Sequence, residues 1–595
     1  MIKIMLKNIV LPFVMIAVLI ITLLNSNAFG SPTYISLFGY ILLIPFVSIL
    51  IFFYLLLSKR SLLIPLHFFI FFLLCLYLSI PGLLNGTLHY LNYYWLACAL
   101  LLVLITVLYR NLSKDFHASP KQYTLNKVFH FGILVLSLIE SIVVIFQFVN
   151  VFPTPTEMFS CTGTWINPNV TASFLTLCIF SVFQLKKCNV QRWVTYFRRI
   201  SLSIVVIAII LLRCRSAYLM TMMLLGFEYF AVIRSFIVSN FRFNIYSIAK
   251  LSLVVLMPLL MINNVFNSKK DSTNSRVFIW QNSAQLIKVK PLFGYGVGSF
   301  EKEYSNFLIT HSNPQNDHVN MAYNDFLEIT VEGGLIAFFL WIGFLYCIWK
   351  YTCQSSFTNK FTPLLLAFII LQLTNFGFQA IPTFVLFLTY VGLNSDNNEE
   401  MEYYDFVGLK ISNKLFLNKY LAVIISVVVL YKTATLVAAF YRQWDIVENN
   451  NSKSPITDLE ALNTSLWEYS SYHENLADSY IKTGNYVGAL KEYNEAFVRN
   501  GNPKLITKIA QFYYSAKKYD SCIYYCSLLK KVQAKKLTPL YLLLKTYEKC
   551  NDTTKMLSIA NDIINKPVKV TTNKSIFIKK YAATVTGSTN DKLMQ

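Results

Sequence analysis

The sequence predicts an all-α polytopic membrane protein of about 12–13 transmembrane helices, with a large outward loop and a carboxyl-terminal α-solenoid. Three observations lead to this class. Of the 595 residues, 55% are apolar and only 14% are charged, and the mean hydropathy is +0.49. Long apolar runs recur as far as residue 441, and a polar segment with a repeat of about 33 residues follows. Because a soluble domain has about 25% charged residues, an ordinary soluble protein is excluded.

Thirteen apolar runs are candidates for crossing the bilayer. Residues 1–28 have some features of a signal peptide, with Lys3 and Lys7 before an apolar stretch, but the many further spans favour an uncleaved first helix. Cleavage would leave the later topology unchanged. The runs are 9–24, 34–57, 61–80, 90–109, 130–150, 170–185, 200–213, 216–234, 245–262, 326–349, 362–374, 380–394 and 419–441.

The loops between the runs alternate in charge, and this predicts the orientation of the chain. Loops rich in Lys and Arg alternate with loops at 25–33, 81–89 and 151–169, which hold a single charged residue, Glu157. By the positive-inside rule the basic loops are cytoplasmic, and the amino terminus is therefore cytoplasmic as well. The net charge of +22 is thus explained by membrane topology, and we expect no nucleic-acid partner.

If each of the thirteen runs crosses the membrane once, segment 263–325 and the tail after residue 441 face outward. The count depends on 362–394, where polar residues such as Asn375 and Gln379 interrupt the apolar pattern. We expect two short spans there, since 33 residues are too many for one crossing. A single span would instead put the tail in the cytoplasm.

The tail has the pattern of a tetratricopeptide-like helical repeat. Tyr480, Tyr513 and Tyr547 recur at intervals of 33 and 34 residues. Such hairpins stack into a solenoid that usually binds a protein, and a structural cap is the alternative. Cys522 and Cys526 lie one helical turn apart and are expected to be packing residues. The predicted domains are transmembrane helices at 1–262, a large loop carrying site residues at 263–325, further transmembrane helices at 326–441 and the repeat domain at 442–595.

Two arginines stand at the outward end of two predicted spans, against the positive-inside bias. Arg213 and Arg215 belong to the sequence Leu212–Ala217. Arginine stays protonated and its planar fork suits phosphate oxygens, so an anionic partner such as a lipid pyrophosphate is expected. The alternative is that both side chains only cap helix ends by snorkelling.

The outward loop carries further polar candidates. Arg276 and Trp280 lie near its start, and a Gly-x-Gly-x-Gly sequence at 294–298 is expected to form a turn between two loop helices. A nucleotide-binding loop is not expected, since no Lys-Ser/Thr follows. His311 and His318 lack metal-ligand spacing, so we predict neither a metal nor a cofactor.

Four patches, in this order and on this side of the membrane, resemble the O-antigen ligase and polymerase superfamily of bacterial envelope glycosyltransferases. They are similar to its outward Gly-x-x-x-Asn-Pro-Asn turn, its Ser-Arg-Gly-Ala membrane-edge motif, the start of its large periplasmic loop, and the loop's end, usually written His-Asn-x-x-Leu-Gln and Glu-x-Gly. The patches are Gly163-Thr164-Trp165-Ile166-Asn167-Pro168-Asn169, Arg213-Cys214-Arg215-Ser216-Ala217, Arg276 with Trp280 and Gly294-x-Gly296, and Tyr323-Asn324-Asp325 with Glu332-Gly333-Gly334.

This resemblance implies an enzyme of the bacterial inner membrane that transfers a glycan from a polyprenyl (undecaprenyl) pyrophosphate carrier to an acceptor hydroxyl at the periplasmic face. The transfer would be inverting and independent of metal, with Arg215 and Arg276 neutralising the pyrophosphate. Twelve family-like spans would return the chain to the cytoplasm near 395–418, and a thirteenth would carry the repeat domain to the periplasm. The residues expected to bind substrate are Arg213, Asn167, Asn169, Trp280 and Asn324.

The general base is expected among the residues at the end of the loop. In the family a loop histidine takes the proton of the acceptor, but Tyr323 stands at that position here. A tyrosine with a pKa of about 10 is a poor base at neutral pH. His318 is therefore our first candidate, provided that 316–325 is not regular helix; Tyr323 is the next, and Asp325 is a further one.

Several acceptors and functions fit the same sequence. The acceptor would be lipid A core for a ligase, another repeat unit for a polymerase, or a serine or threonine for a protein O-oligosaccharyltransferase, which the repeat domain favours through its capacity to bind protein. A transporter of lipid-linked sugars would explain the spans and arginines but not the order of the loop motifs. A membrane scaffold would explain the repeats alone.

Overall fold

The computed structural model describes most of the chain and is predominantly helical there, which confirms the predicted all-α class. Two of the predicted spans, 9–24 and 245–262, lie outside the described residues. The described ranges are 34–56, 62–85, 89–114, 122–156, 159–187, 191–238, 270–354, 361–394, 403–406, 409–412, 414–417, 419–449, 454–568 and 572–587.

The helices follow the apolar runs because a backbone in lipid must satisfy its own hydrogen bonds. Proline occupies the first turn of several helices, where its missing N–H removes no helical hydrogen bond; these residues are Pro168, Pro363, Pro382, Pro503 and Pro539. In chain order the helices are α1 Tyr34–Leu56, α2 Leu66–Asn85, α3 Tyr90–Lys114, α4 Gln122–Phe148, α5 Pro168–Lys187, α6 Arg192–Leu211, α7 Arg215–Val238, α8 Lys270–Val289, α9 Phe300–Thr310, α10 Asp325–Gln354, α11 Thr362–Thr374, α12 Ile381–Leu393, α13 Lys419–Glu448, α14 Pro455–Glu460, α15 Asn463–Leu466, α16 Ser470–Lys482, α17 Tyr486–Asn500, α18 Pro503–Ser515, α19 Tyr519–Val532, α20 Thr538–Lys549, α21 Thr553–Asn565 and α22 Asn573–Thr586.

The chain divides into two compact units. The membrane unit contains the described residues of 1–274 and 323–438, and the loop–tail unit contains those of 275–322 and 439–595. Five helices are long and apolar enough to cross a membrane among the residues described. They are α4, α5, α6, α10 and α13. These findings support a multi-pass membrane protein.

In the membrane unit, α11 and α12 form the two-helix arrangement expected for 362–394. The rings of Phe368 and Phe387 stack with centroids 3.8 Å apart, and those of Phe361 and Phe387 lie 6.5 Å apart. Phe361, at the start of α11, and Tyr390, near the end of α12, both lie against Phe180, with ring centroids 5.9 and 5.0 Å from its ring, so the two helices run antiparallel. Each helix has 13 residues and is about 20 Å long, shorter than the hydrocarbon core of about 30 Å. The hairpin therefore begins and ends at the same end of the membrane unit.

Two short antiparallel ribbons depart from the all-α prediction. They pair β1 (Leu62–Pro65) with β4 (Lys414–Leu417) and β2 (Tyr403–Phe406) with β3 (Leu409–Ser412). Strand β1 leads directly into α2, and β4 precedes α13 by one residue, so both helices start from the same end of the membrane unit. This agrees with the prediction that 58–60 and 395–418 share the cytoplasmic side.

The loop–tail unit joins the loop helices α8 and α9 to the tail helices. In the tail, α16, α18 and α20 begin at residues 470, 503 and 538, close to the predicted repeat. Ala477, Ala510 and Leu544, which follow the same spacing of 33 and 34 residues as the three tyrosines, are fully buried. Cys522 and Cys526 are also fully buried, in a core cluster with Ala510, which confirms their packing role. The assignment to tetratricopeptide repeats stays a prediction.

Candidate active site

The turn between α6 and α7 presents two arginines at the amino terminus of a helix. Arg213 has a left-handed backbone (φ 50°) and is exposed, whereas Arg215 is the first residue of α7 and is half-buried. The carbonyl of Cys214 accepts the first helical hydrogen bond, from the N–H of Tyr218 at 3.1 Å. A helix amino terminus carries partial positive charge, which adds to the two guanidinium charges. The turn is therefore suited to binding an anion.

The turn that links α4 to α5 touches this arginine turn. The buried thiol of Cys161 donates to the carbonyl of Leu211 at 3.5 Å, two residues before Arg213. An open cavity of about 670 Å³ lies in the same turn and is lined by residues 150–154, 159 and 160. Polar backbone, the arginine pair and a recess are thus present at one end of the membrane unit.

Two polar side chains of α4 hydrogen-bond to the backbone of the turn that links α4 to α5. Gln147 Oε1 accepts from the N–H groups of Thr162 at 2.9 Å and Gly163 at 2.7 Å, and its Nε2 donates to the Gly163 carbonyl at 2.9 Å. Glu140 Oε1 accepts from the N–H of Thr164 at 2.8 Å. Gly163 has φ 75°, and a Cβ there would overlap the Glu140 carboxylate, so only glycine fits. The turn is therefore fixed by buried side chains.

Asn167 caps helix α5. Its Oδ1 accepts from the N–H of Asn169 at 3.0 Å, and its carbonyl accepts from the N–H of Val170 at 3.0 Å. Asn167 and Asn169 are both half-buried, and Trp165 is buried with its ring 5.4 Å from that of Phe174. A role in substrate binding stays a prediction for both asparagines, and the structure adds a capping role for Asn167.

Asn324 caps α10, directly after Tyr323. Asn324 Oδ1 accepts from the N–H groups of Phe326 at 3.0 Å and Leu327 at 3.2 Å. Tyr323 is half-buried, has a left-handed backbone (φ 53°), and its ring lies 5.9 Å from that of Phe376. The cap, combined with the left-handed residue before it, fixes the point at which the loop enters the membrane unit.

The turn at 375–380 between α11 and α12 links the starts of α7 and α10. Asn375 Nδ2 lies 3.2 Å from Ser216 Oγ, next to Arg215. Asp325 Oδ2 accepts from the N–H of Phe378 at 3.1 Å, and Asp325 is only 1% exposed. These contacts bring Tyr323 and Asn324 to the same end of the membrane unit as Arg213 and Arg215, and they give Asp325 a structural role.

The remaining site residues belong to the loop–tail unit. Arg276 is half-buried on α8, and Trp280 lies one turn later, with its Nε1 donating to the carbonyl of Ala322 at 3.0 Å. This hydrogen bond closes the loop segment by joining its two ends. Residues 290–299 form a turn between α8 and α9, as the glycine pattern predicts.

His318 lies in a non-helical stretch, which meets the condition set for it from sequence. Residues 311–324 contain no helix. His318 Nε2 is 3.2 Å from Glu301 Oε1, and the two side chains are 12% and 22% exposed. The N–H is not aligned for a regular hydrogen bond, so we describe the contact as electrostatic. His311 is exposed at the end of α9, where its Nδ1 lies 2.8 Å from Thr310 Oγ1 and 3.1 Å from the carbonyl of Phe307.

The comparison with known proteins agrees with the site's location. Residues 200–342 match the family model described as O-antigen ligase (Wzy_C). The match spans Arg213, Arg215, Arg276, His318 and Tyr323, and it supports the O-antigen ligase superfamily. It indicates a membrane glycosyltransferase of the O-antigen ligase or polymerase type. No curated protein matches the chain.

Three residues of the site were missed from sequence. Glu140 and Gln147 are seven residues apart, which places them on one face of α4. Glu140 could have been found from sequence, because an ionisable residue within an apolar run indicates a function. Glu301 gave no such signal, because its proposed importance comes from contacts with His318 and with the tail, which the local sequence does not indicate.

Proposed function

We propose that this protein transfers a glycan from a polyprenyl pyrophosphate to an acceptor hydroxyl at the periplasmic face of the bacterial inner membrane. The observation that carries the proposal is the arginine pair at the start of α7, which is an anion site inside the segment that matches the O-antigen ligase family. The loop segment within the same match supplies a further arginine and a histidine.

In the proposed reaction the acceptor oxygen attacks the anomeric carbon of the donor. The new carbon–oxygen bond forms as the bond from that carbon to the pyrophosphate oxygen breaks, with inversion at the carbon. The leaving pyrophosphate keeps the electron pair, and Arg215 and Arg276 stabilise its growing negative charge. The acceptor proton passes to a general base.

His318 is our proposed base. A neutral imidazole has one unprotonated ring nitrogen, which can take the acceptor proton during turnover. His318 Nε2 faces Glu301 Oε1 at 3.2 Å, and the proposal makes Nδ1 the nitrogen that takes the proton. Tyr323 is proposed to position the acceptor, and Arg213, Asn167, Asn169, Trp280 and Asn324 to contribute to substrate binding. No metal or cofactor takes part in this scheme.

The proposed orientation places the amino terminus in the cytoplasm and the tail in the periplasm. The antiparallel hairpin of α11 and α12 supports it, because that hairpin contributes no net crossing. The compact loop–tail unit supports it independently, since a loop and a tail that fold together lie on the same side of the membrane.

The experiment is a glycan profile of cells in which Arg215→Ala, Arg276→Ala, His318→Ala or Tyr323→Phe replaces the wild-type protein at equal abundance. Lipopolysaccharide, polysaccharide and glycoproteins are examined in the same samples, and the product that disappears identifies the acceptor. The matched control is Arg199→Ala, because Arg199 is an exposed arginine about two turns into α6, in the half of the helix away from Arg213.

We expect each catalytic arginine variant to lower transfer by about 10²–10³-fold, with accumulation of the lipid-linked donor. His318→Ala is expected to lower transfer more than Tyr323→Phe does. If both arginine variants keep every glycan at the level of the Arg199→Ala control, the transferase proposal is wrong, and transport of lipid-linked sugars becomes the better explanation.

A further inference from the structure

Helix α9 of the loop lies directly against the tail. Gly501 ends α17 with a left-handed backbone (φ 70°), and a Cβ there would come within 3.0 Å of Lys302 Cα and 2.9 Å of Ser305 Cβ. Ser305 is fully buried. The loop helix and the tail therefore approach so closely that only a glycine allows the contact.

Asn316 fastens the irregular end of the loop to the tail. Its Nδ2 donates to the carbonyl of His311 at 2.8 Å and to that of Lys531, at the end of α19, at 2.9 Å. Its own carbonyl accepts from the N–H of Ala534 at 3.1 Å. Asn316 is 1% exposed, so these hydrogen bonds are shielded from water. They hold the chain two residues before His318.

Glu301 connects the tail to His318. One of its carboxylate oxygens, Oε1, lies 3.2 Å from His318 Nε2 and 3.4 Å from Asn502 Nδ2. We assign the Asn500 amide with its nitrogen toward this carboxylate, because the opposite assignment would face oxygen with oxygen; the nitrogen then lies 2.8 Å from Oε2 and 3.1 Å from Oε1. Asn500 and Asn502 flank the close contact at Gly501. The Glu301 carboxylate thus contacts both the His318 imidazole and the side-chain amides of two tail residues, Asn500 and Asn502.

We infer that the tail is a positioning element for the loop, and that Glu301, held by Asn500 and Asn502, is a positioning residue that orients His318. The inference rests on the proposed function, because it gives His318 the role of base. A catalytic imidazole needs a partner that fixes its ring orientation and selects which nitrogen is protonated. Here that partner is a loop carboxylate whose own position is set by the repeat domain.

The experiment uses the full-length protein in detergent and compares Gly501→Ala with Gly587→Ala. Gly587 ends α22 with nearly the same backbone (φ 65°, ψ 10° against φ 70°, ψ 13°), but no atom lies within 4 Å of its Cβ position. Both substitutions carry the same left-handed strain, and only the first displaces α9. Asn500→Ala, which removes one amide donor without moving the backbone, is the second test variant.

Two quantities are measured for each variant. Hydrogen exchange of the amides in 300–318 reports whether the tail holds the loop, without reference to activity. Turnover of lipid-pyrophosphate-linked glycan extracted from producing cells, with native membranes as the source of acceptor, reports kcat and the KM for the donor. We expect Gly501→Ala to speed exchange in 300–318 and to lower kcat by about 10–100-fold at unchanged KM, because small misplacements of a catalytic group cost this much.

Asn500→Ala is expected to lower kcat in the same direction with less change in exchange. If exchange in 300–318 is the same in Gly501→Ala and Gly587→Ala, the tail does not hold the loop and the inference is wrong. If exchange rises while kcat stays at the control value, the tail holds the loop but Glu301 does not position a base, which also overturns it. Failure of the proposed function is distinguishable, since turnover would then be absent or unaffected by Arg215→Ala.

Discussion

Replacing Gln147 with methionine tests whether a buried side chain of α4 fixes the turn that links α4 to α5. Methionine keeps the length of the side chain but removes the two hydrogen bonds to the N–H groups of Thr162 and Gly163, at 2.9 and 2.7 Å, and the one from Nε2 to the Gly163 carbonyl. Both residues are buried, and an unpaired buried N–H costs about 1–3 kcal/mol. The two together predict a loss of roughly 2–6 kcal/mol for the closed turn.

Cys161 gives the readout, because its thiol is only 3% exposed and lies within this turn. Each 1.4 kcal/mol changes the open population about tenfold, so even the lower limit of 2 kcal/mol predicts roughly 30-fold faster labelling of Cys161 by a water-soluble maleimide. Peptide mass spectrometry separates Cys161 from the other cysteines. The control is Ile139→Ala, an exposed position on the same helix. Equal labelling rates in Gln147→Met and Ile139→Ala would show that the turn does not depend on Gln147.

Three further predictions concern single contacts. Asn324→Ala should destabilise the membrane unit by about 1 kcal/mol through loss of the α10 cap, and Asn324→Ser, which keeps a capping oxygen, should cost less; equilibrium unfolding in mixed micelles would show no difference between the two variants if the cap were unimportant. His473→Ala should cost about 3–5 kcal/mol, since Glu492, 2.6 Å away, is left buried without its partner; an unchanged unfolding midpoint of the tail would contradict this. The hydrogen bond from the Tyr480 hydroxyl to Glu460 raises the pKa of Tyr480 to about 12, so its stabilising effect is complete below pH 10 and is lost as the pH rises to 12. Tyr480→Phe should therefore reduce the loss of unfolding free energy of the tail between pH 10 and 12. An unchanged dependence of stability on pH in this interval would refute the prediction.

The helices of the membrane unit were predictable because lipid leaves the backbone no partner except itself. The break at 375–380 was predictable for the same reason, since Asn375 and Gln379 are costly inside an apolar helix. Their partners were not predictable, because Asn375 meets Ser216 and Gln379 meets Glu328, contacts that only the packed helices create. Polar residues in an apolar run therefore indicate where a helix is interrupted, but not which residues the interrupted segment contacts.

The site divides in the same way. The arginine turn at 213–215 was predicted as a site from sequence because two charges on the predicted outward side of the membrane violate a general rule. The ribbon of β1 and β4 and the Glu301 contacts were missed, because they join segments about 350 and 200 residues apart and no local pattern encodes such pairings. A sequence therefore indicates polar or charged residues that are unfavourable in an apolar segment. It does not indicate residues whose role depends on contacts with residues distant in the chain.

The antiparallel hairpin of α11 and α12 has a consequence for how this architecture can change over time. Since the chain enters and leaves it at the same end, the segment 361–394 can be lengthened, shortened or lost without reversing the sidedness of anything that follows. Loss of a single crossing such as α13 would carry the entire tail to the other compartment. Insertions and deletions that are tolerated in descendants of this chain should therefore remove or add helices in pairs, with the hairpin as the first place to expect them.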